Sequence, residues 1–490
     1  MEKIFLGQGS EKVYLLSNML NRHGLIAGAT GTGKTVTLKV LAESLSDLGI
    51  PVFLPDVKGD LFSFCEAGSM NEHIQKRMQI FGMSDFTFKS FPIRAWDFFY
   101  QLGIPLRSTV SEMGPLILSK LFNLNETQAG VLNMAFKVAD DNSLLLLDIK
   151  DLKAILLFLG EHANELKLQY GNISSASIGA IQRSILRLET EGAENFFGEP
   201  ALDIQDFFIP NASGAGTINI LNATKLYQKP NLYAAFLLMF LSEIYEVLPE
   251  VGDLDKPKCV FFFDEAHLMF ENCPPVLIDK IEQIIRLVRS KGVGIFFVTQ
   301  NPADIPEKIL SQLGNRIQHA LRAYTPKDRK AIAQIAMTFR SNPALKIEDE
   351  ILALRTGEAL VSVLQEDGSP SVTDKVLITS PASKIGTVDT STVKNIVSAS
   401  PLFAKYKDGI DRISAHEILT QRFEQEAQVR QLEVQKKELE KQQAQLARQK
   451  RNQPKSTIEK MGDQVLTGFS RSVGNQLARG LLGSVKKLLK

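Results

Sequence analysis

The sequence of 490 residues predicts an α/β fold with a mostly parallel sheet, a helical insertion and a C-terminal helical tail. Three observations carry this expectation. A glycine-rich loop stands between a strand-like run and a helix-like run at Gly24–Leu45. Several later strands are continuous apolar runs, the pattern of strands buried on both faces. Segments of helical periodicity separate them, as in chains whose helices cover both faces of one sheet.

The loop Gly28-Ala29-Thr30-Gly31-Thr32-Gly33-Lys34-Thr35 matches G-x-x-x-x-G-K-[ST] in full. Leu25, Ile26 and Ala27 before it read as a buried strand. After it, Val36, Leu38, Val40, Leu41 and Leu45 recur at helical spacing. Strand, glycine turn and helix together aim backbone N–H groups and a helix N-terminus at phosphates. Residues Gly28 through Val36 are therefore the expected nucleotide-binding stretch. Lys34 would reach the β- and γ-phosphates, and the Thr35 hydroxyl would hold Mg²⁺. The rival reading, a chance glycine-rich turn, does not account for the flanking pattern.

Residues 1–104 alternate strand and helix signals, with strands expected at Pro51–Asp60 and Phe86–Asp97. Residues 105–210 have helical periodicity and few strand signals, so a helical insertion is expected there. The α/β pattern returns over 211–380 with Gly216–Ala223, Cys259–Glu265, Val293–Gln300 and Glu358–Leu364, and with the amphipathic run Leu232–Leu248. Pro370–Pro401 is rich in Ser, Thr and Pro and reads as a strap or linker, with 381–414 as the linker or strap segment between core and helix. Residues 415–452 read as one long charged helix, because Arg422–Arg451 is almost all strong helix formers. A coiled coil and a solvated linker helix fit it equally.

The remaining stretch, 453–490, is a basic amphipathic tail. Val465, Phe469, Val473, Leu477, Leu481, Val485 and Leu489 fall at steps of four, with Leu466, Leu482 and Leu488 widening the stripe. Gly468, Gly474, Gly480 and Gly483 interrupt it. Such a stripe can lie on a membrane surface or dock on a protein. Docking is favoured, because small glycines permit close approach and the basic face is modest.

The formal net charge of +1 hides an asymmetry. Residues 403–490 carry 18 Lys and Arg against 10 Asp and Glu, whereas residues 1–402 carry 38 against 45. A basic tail on an acidic body suits an anionic partner, nucleic acid or membrane, or merely a solubilising role. Cys65, Cys259 and Cys273 form no CxxC pair, and the six histidines have no ligand spacing. Disulfide frameworks and zinc clusters are therefore not expected. The first ten residues carry no signal-type apolar region, and no run is long enough to span a bilayer. The expectation is a cytoplasmic protein.

Two carboxylates complete the loop's chemistry. The strand Cys259–Phe263 ends in Asp264 and Glu265. Asp264 would hold Mg²⁺ near Thr35, and Glu265 would orient or deprotonate the attacking water. An Asp-Glu pair of this kind favours ATP hydrolysis over GTP signalling, and no N-K-x-D follows a strand. Gln300 ends the next apolar strand, at the sheet edge where ligands bind. It could touch the γ-phosphate or the water, or simply cap the strand. Arg286, Arg289, Arg316 and Arg322 are all candidates for an arginine finger, and periodicity does not choose among them.

The order of the loop, DVKGD, FFFDEAH, RSKGVGIFFVTQNPADIP and QLGNRIQHALRAYTP resembles the HerA-like branch of the HerA/FtsK superfamily. Within it the sequence is most similar to the bacterial helicase HerA-like group of the YjgR type. The resemblance covers almost the whole chain, including SEMGPLILSKLF, FFGEPALDI and LARGLLGSV. It implies a RecA-like P-loop core and an ATP-driven motor acting on double-stranded DNA as a homo-hexameric ring. It implies Lys34 and Thr35 at phosphate and Mg²⁺, Asp264 and Glu265 as the acidic pair, and Gln300 as the sensor. It also implies Arg289, eleven residues before that glutamine, as the finger acting in the neighbouring subunit. Asp56 and Asp60 match an acidic strand-end motif. The archetype begins with a β-barrel, for which the residues before Gly28 leave no room, so a core without that barrel is expected. The competing expectation is an ATP-dependent remodeller or scaffold acting on protein partners through the tail, or at a membrane.

Overall fold

The computed structural model describes residues 2–83, 86–252, 254–270 and 275–451. Cys273 and the amphipathic stripe from Val465 to Leu489 lie outside the described residues. Among the described residues there are twelve strands: β1 Lys3–Gln8, β2 Lys12–Leu16, β3 Gly24–Ala27, β4 Val52–Asp56, β5 Ile93–Asp97, β6 Ile104–Pro105, β7 Ile218–Asn222, β8 Cys259–Phe263, β9 Val293–Thr299, β10 Asn315–His319, β11 Glu358–Ser362 and β12 Asp374–Ile378. They form one sheet in the order β2-β1-β12-β11-β10-β3-β9-β8-β4-β7-β5-β6. From β10 to β6 every neighbouring pair is parallel. From β10 outward through β11, β12, β1 and β2 the pairs are antiparallel.

The parallel half is what the continuous apolar runs demand. Every residue of β4, β7, β8 and β9 is buried. Val, Ile and Phe dominate these strands, residue types that suit a pleated surface packed on both faces. Phe53 of β4 is 2% exposed. Its ring centroid lies 4.6 Å from that of Phe240, in the helix Pro230–Val247, and 5.6 Å from that of Phe261 on β8.

Five helices lie between β6 and β7: Val110–Leu121, Glu126–Asp141, Ile149–Glu161, Ala163–Tyr170 and Ser175–Thr190. Three of them start with reciprocal capping boxes, Thr109 with Glu112, Asn125 with Gln128, and Asp148 with Asp151. They belong with the sheet to one compact unit, Met1–Leu419. The helix Ala415–Arg451 has its first turn pinned within that unit, where the Asp151 carboxylate accepts from the Ser414 hydroxyl at 2.5 Å and from the His416 N–H at 2.8 Å. A second unit spans Thr420–Lys490, and its described part is helical.

Several expectations need correction. Strands β1, β2, β6, β10 and β12 were not expected. Strand β11 joins the sheet antiparallel, not in the parallel set. The Pro370–Pro401 strap contains β12 and the helix Thr390–Ala399, and the 381–414 stretch adds the helix Pro401–Tyr406. Val376 and Ile378 of β12 are fully buried on alternate positions, the period of a strand with one face packed inward.

Phe53→Ala removes a ring from the middle of this core, and a loss of about 3–5 kcal/mol is expected, read from the midpoint of chemical denaturation.

Candidate functional site

Parallel strands place their carboxyl ends along one edge. The loops that leave β3 at Ala27, β4 at Asp56, β8 at Phe263, β9 at Thr299 and β10 at His319 therefore share that edge. This is where ligands bind in open α/β sheets.

The phosphate loop is fastened to both of its neighbours. The Gly28 N–H donates to the Thr299 carbonyl at 3.2 Å, and the Ala29 N–H donates to the Ala320 carbonyl at 2.8 Å. Gly28 has φ +154, and a Cβ there would lie 2.5 Å from the Cβ of His319. Only glycine fits this crossing. The His319 ring ties the helix that follows the loop to β11. Its Nε2 is 2.8 Å from the Thr37 hydroxyl, and its Nδ1 is 2.9 Å from the Glu358 carbonyl. Burial drives its pKa down to about 4, so the ring is neutral at pH 7.

Lys34 opens the helix Lys34–Asp47 and is 6% exposed. Its ammonium donates to the carbonyls of Gly28 at 2.6 Å and Ala29 at 3.2 Å. Burial lowers its pKa, while Glu265 and Asp264 oppose that shift. A buried cation bonded to neutral carbonyls inside an N–H-lined loop fits an anion of phosphate type. Thr35 follows it on the same first turn.

Asp264 and Glu265 leave β8 beside the loop, each 5% exposed. Burial pushes the Asp264 carboxyl up to about 6, although Lys58 works against it. Its Oδ1 accepts the Glu265 N–H at 2.9 Å. Burial also acts to raise Glu265, but Lys58 and Gln300 outweigh it, and the net pKa lies below the ordinary value. Glu265 Oε1 is 2.7 Å from the Lys58 ammonium. Glu265 Oε2 accepts from Gln300 Nε2 at 3.3 Å and lies 3.4 Å from His267 Nδ1. Gln300 Oε1 accepts from the Thr30 hydroxyl at 3.2 Å, which links β9 to the loop. The backbone of Glu265 sits at φ +48, a left-handed position for a side-chain-bearing residue. Such outliers concentrate at functional sites.

Among the described residues no three or more His, Cys, Asp and Glu side chains converge in a way that could hold a metal ion. Mg²⁺ does not need such a cage, since it is commonly held by one or two carboxylates together with substrate phosphates. Thr35 and Asp264 fit that role.

Asp56 and Asp60 differ in their surroundings. The Asp56 carboxylate is fully buried and accepts from the N–H groups of Lys58 at 3.2 Å, Gly59 at 2.7 Å and Leu61 at 2.9 Å. It shapes the loop, and burial raises its pKa to about 6. Asp60 Oδ1 is buried without a hydrogen-bond partner among the described residues.

The four arginines fall at two edges. Arg322 lies just past β10 and lines a cleft with Ala29, Thr30, Gln300 and Tyr324, next to the loop of its own chain. Arg316 stands at the start of β10, with its guanidinium donating to the carbonyls of Leu313, Leu310 and Thr338. Arg286 pairs with Glu282 at 2.7 Å. Arg289 precedes β9 and acts electrostatically on His23, at the start of β3. The seven residues of β9 separate it from Gln300 by roughly 20 Å at the usual strand rise. Arg289 therefore stands at the opposite edge from the phosphate loop of its own chain.

Sequence reasoning passed over Lys58, His267 and His319. Lys58 is the middle residue of DVKGD, and His267 closes FFFDEAH. A basic residue inside an acidic strand-end motif was the available signal.

Fold and site together define an α/β P-loop protein with a RecA-like core. The sequence matches the helicase HerA-like C-terminal family over residues 2–488, and the chain belongs to that family. It is 24% identical over 364 residues to the DNA double-strand break repair helicase HerA of Sulfurisphaera tokodaii, with 71% of this chain and 64% of that protein covered. It is 25% identical over 382 residues to a probable helicase of Methanocaldococcus jannaschii, with 72% and 66% covered. The match thus spans just under two thirds of the length of these curated relatives. The structure is similar to the unbound bacterial conjugative coupling protein TrwB, with TM-score 0.51, 15% identity, and coverage of 80% of this chain and 92% of that one. At that identity the likeness is one of fold. Among the described residues no helix is long and apolar enough to cross a membrane.

The neutral His319 ring has a pH consequence. The unfolded chain binds a proton near pH 6.5 and the folded chain only near 4, so its contribution is intact above 6.5 and is lost as pH falls towards 4. Burial raises Asp56 and Asp264, which shifts stability in the opposite sense over much of that range. The comparison must therefore be between variants. His319→Gln is expected to lose less stability than wild type between pH 6.5 and 4, measured by denaturant titration at each pH.

Proposed function

We propose that this chain is an ATP-hydrolysing ring motor of the HerA/FtsK type that translocates on or unwinds double-stranded DNA as a homo-hexamer. The observation that carries the reading is the buried Lys34 cation, held by loop carbonyls at the edge where Asp264, Glu265 and Gln300 meet. Family membership supports it, as do the names of the relatives, which are DNA repair and probable helicases. TrwB, which shares the fold with TM-score 0.50, has been captured with a non-hydrolysable ATP analogue.

The residues then divide the work. The loop Gly28–Val36 cradles the phosphates through N–H groups other than those of Gly28 and Ala29, which hold the loop to Thr299 and Ala320, and Lys34 turns from its carbonyls to the β- and γ-oxygens. Thr35 and Asp264 would hold Mg²⁺, which when bound would offset phosphate charge. Glu265 accepts a proton from water as its oxygen bonds to the γ-phosphorus. The bond from that phosphorus to the bridging oxygen breaks, leaving ADP and inorganic phosphate. Gln300 orients the water and reports on the γ-phosphate. Arg289 enters the site of a neighbouring copy, because its own loop lies a strand's length away.

The acidic body favours a second reading. Residues 1–402 carry 38 Lys and Arg against 45 Asp and Glu, a balance that suits a remodeller or scaffold of protein partners, docked through the tail or at a membrane. ATP turnover with and without duplex DNA, at low and moderate salt, separates the two. Stimulation that weakens steeply with salt supports the DNA motor. Indifference to DNA at both salts supports the remodeller.

Lys34→Ala is expected to lose both ATP affinity and turnover. Glu265→Gln is expected to bind ATP and hydrolyse it at least ~10²-fold more slowly, since a general base contributes that much. Turnover equal to wild type would remove Glu265 from the chemistry.

Arg289→Ala should bind ATP and turn it over slowly, because a finger supplies ~10³–10⁵ in rate. Co-expressed with Lys34→Ala, it should regain activity at interfaces joining one variant's intact loop to the other's intact arginine. Verified mixed rings without recovery would show that Arg289 does not act between subunits.

A further inference from the structure

Lys58 is a second cation at the candidate site, with no part in the chemistry described so far. It sits on the loop after β4, the strand next to β8. That loop is built to hold one shape. The buried Asp56 carboxylate accepts three of its N–H groups, including that of Lys58, and Gly59 takes φ +79. The loop delivers the ammonium to Glu265 Oε1 at 2.7 Å. The other carboxylate oxygen meets Gln300 Nε2 at 3.3 Å and His267 Nδ1 at 3.4 Å. Both oxygens are thus engaged, and a carboxylate in this state offers water a poor acceptor.

The two partners differ in exposure. The side chain of Lys58 is 43% exposed and that of Glu265 only 6%. Lys58 can swing into solvent without disturbing the core, whereas Glu265 is fixed on a backbone at φ +48. Asp60 and Asp264 also face the ammonium, so it is drawn inward by three carboxylates and leaves only when a competing interaction replaces them.

We propose that Lys58 is a brake on this site: its ion pair with Glu265 holds the carboxylate off the attacking water, and breaking the pair permits hydrolysis. This rests on the reading of Glu265 as proton acceptor. It makes Lys58 a positioning residue that acts through Glu265.

The test is steady-state ATP hydrolysis by the full chain, without nucleic acid, for wild type, Lys58→Ala, Lys58→Arg, Glu265→Gln and the double variant Lys58→Ala/Glu265→Gln. Lys58→Ala is expected to raise kcat roughly three- to tenfold, in line with losing one half-exposed ion pair, with KM for ATP nearly unchanged. Lys58→Arg restores the pair and returns kcat towards wild type. The double variant is expected to be as slow as Glu265→Gln. Melting temperature and ATP binding report whether each variant is folded, and Lys58→Gln replaces Lys58→Ala if the latter is not. A folded Lys58→Ala with unchanged or reduced kcat overturns the brake while leaving Glu265 in place. A Glu265→Gln protein as fast as wild type overturns the reading of Glu265 itself, whatever Lys58 does.

Discussion

The close passage of Gly28 over His319 is the constraint on which the rest of the site depends. A Cβ at Gly28 would stand 2.5 Å from the histidine's own Cβ, so the loop can lie this low only without a side chain. Lying low, it reaches the Thr299 carbonyl on one neighbouring strand and the Ala320 carbonyl on the other. Those two bonds fix the loop against the ends of β9 and β10, and Gln300 is the first residue after β9. The glycine, the neutral histidine and the strand order are therefore one device. Changing the glycine would move the loop relative to Gln300 and the acidic pair.

Electrostatics at the same edge follow from burial. Lys34 is buried among carbonyls, and Asp264 is buried on a strand end, so each is held away from its ordinary titration range. An anion beside Lys34 and a cation beside Asp264 would relieve both at once, which is what a magnesium nucleotide brings. The site is thus poorly matched charge by charge without ligand, and the mismatch has the shape of the proposed substrate. Lys58 satisfies part of it, because its ammonium stands where a cation is wanted by Glu265, Asp264 and Asp60.

Legibility in the sequence followed a physical line. Strands β4, β7, β8 and β9 were readable because burial on both faces makes them mostly apolar, with β8 an unbroken apolar run and β7 interrupted only by Asn219 and Asn222. The strand β10 was not, since Asn315, Gln318 and His319 are buried polar residues. Asn315 donates to the carbonyls of Met19 and His23, a pairing between residues far apart in sequence that no local pattern encodes. The helical stretch after β6 announced itself through its periodicity and its lack of strand signals. The loop residues Gly28–Thr35 and the pair Asp264 and Glu265 were legible because strand, turn and acid lie next to one another in the chain. Lys58 was not, because its partner lies in a different strand loop and only the pairing of β4 with β8 brings them together.

The arginines illustrate the same limit from the other side. Arg286, Arg289, Arg316 and Arg322 look alike in a sequence, and the sheet sorts them. Arg316 is spent on carbonyls at the amino edge, and Arg322 lies at the carboxyl edge beside its own loop. Arg289 shares the amino edge, where it acts on His23, while the phosphates would sit at the other end of β9. A rigid, fully buried strand cannot shorten to bring them together. For Arg289 to touch phosphate at all, a second copy must set its amino edge against this chain's carboxyl edge. That contact is heterologous, and heterologous contacts either close into rings or run on as filaments. The ring in the proposed function is the closed solution of that requirement, and a filament is the open one.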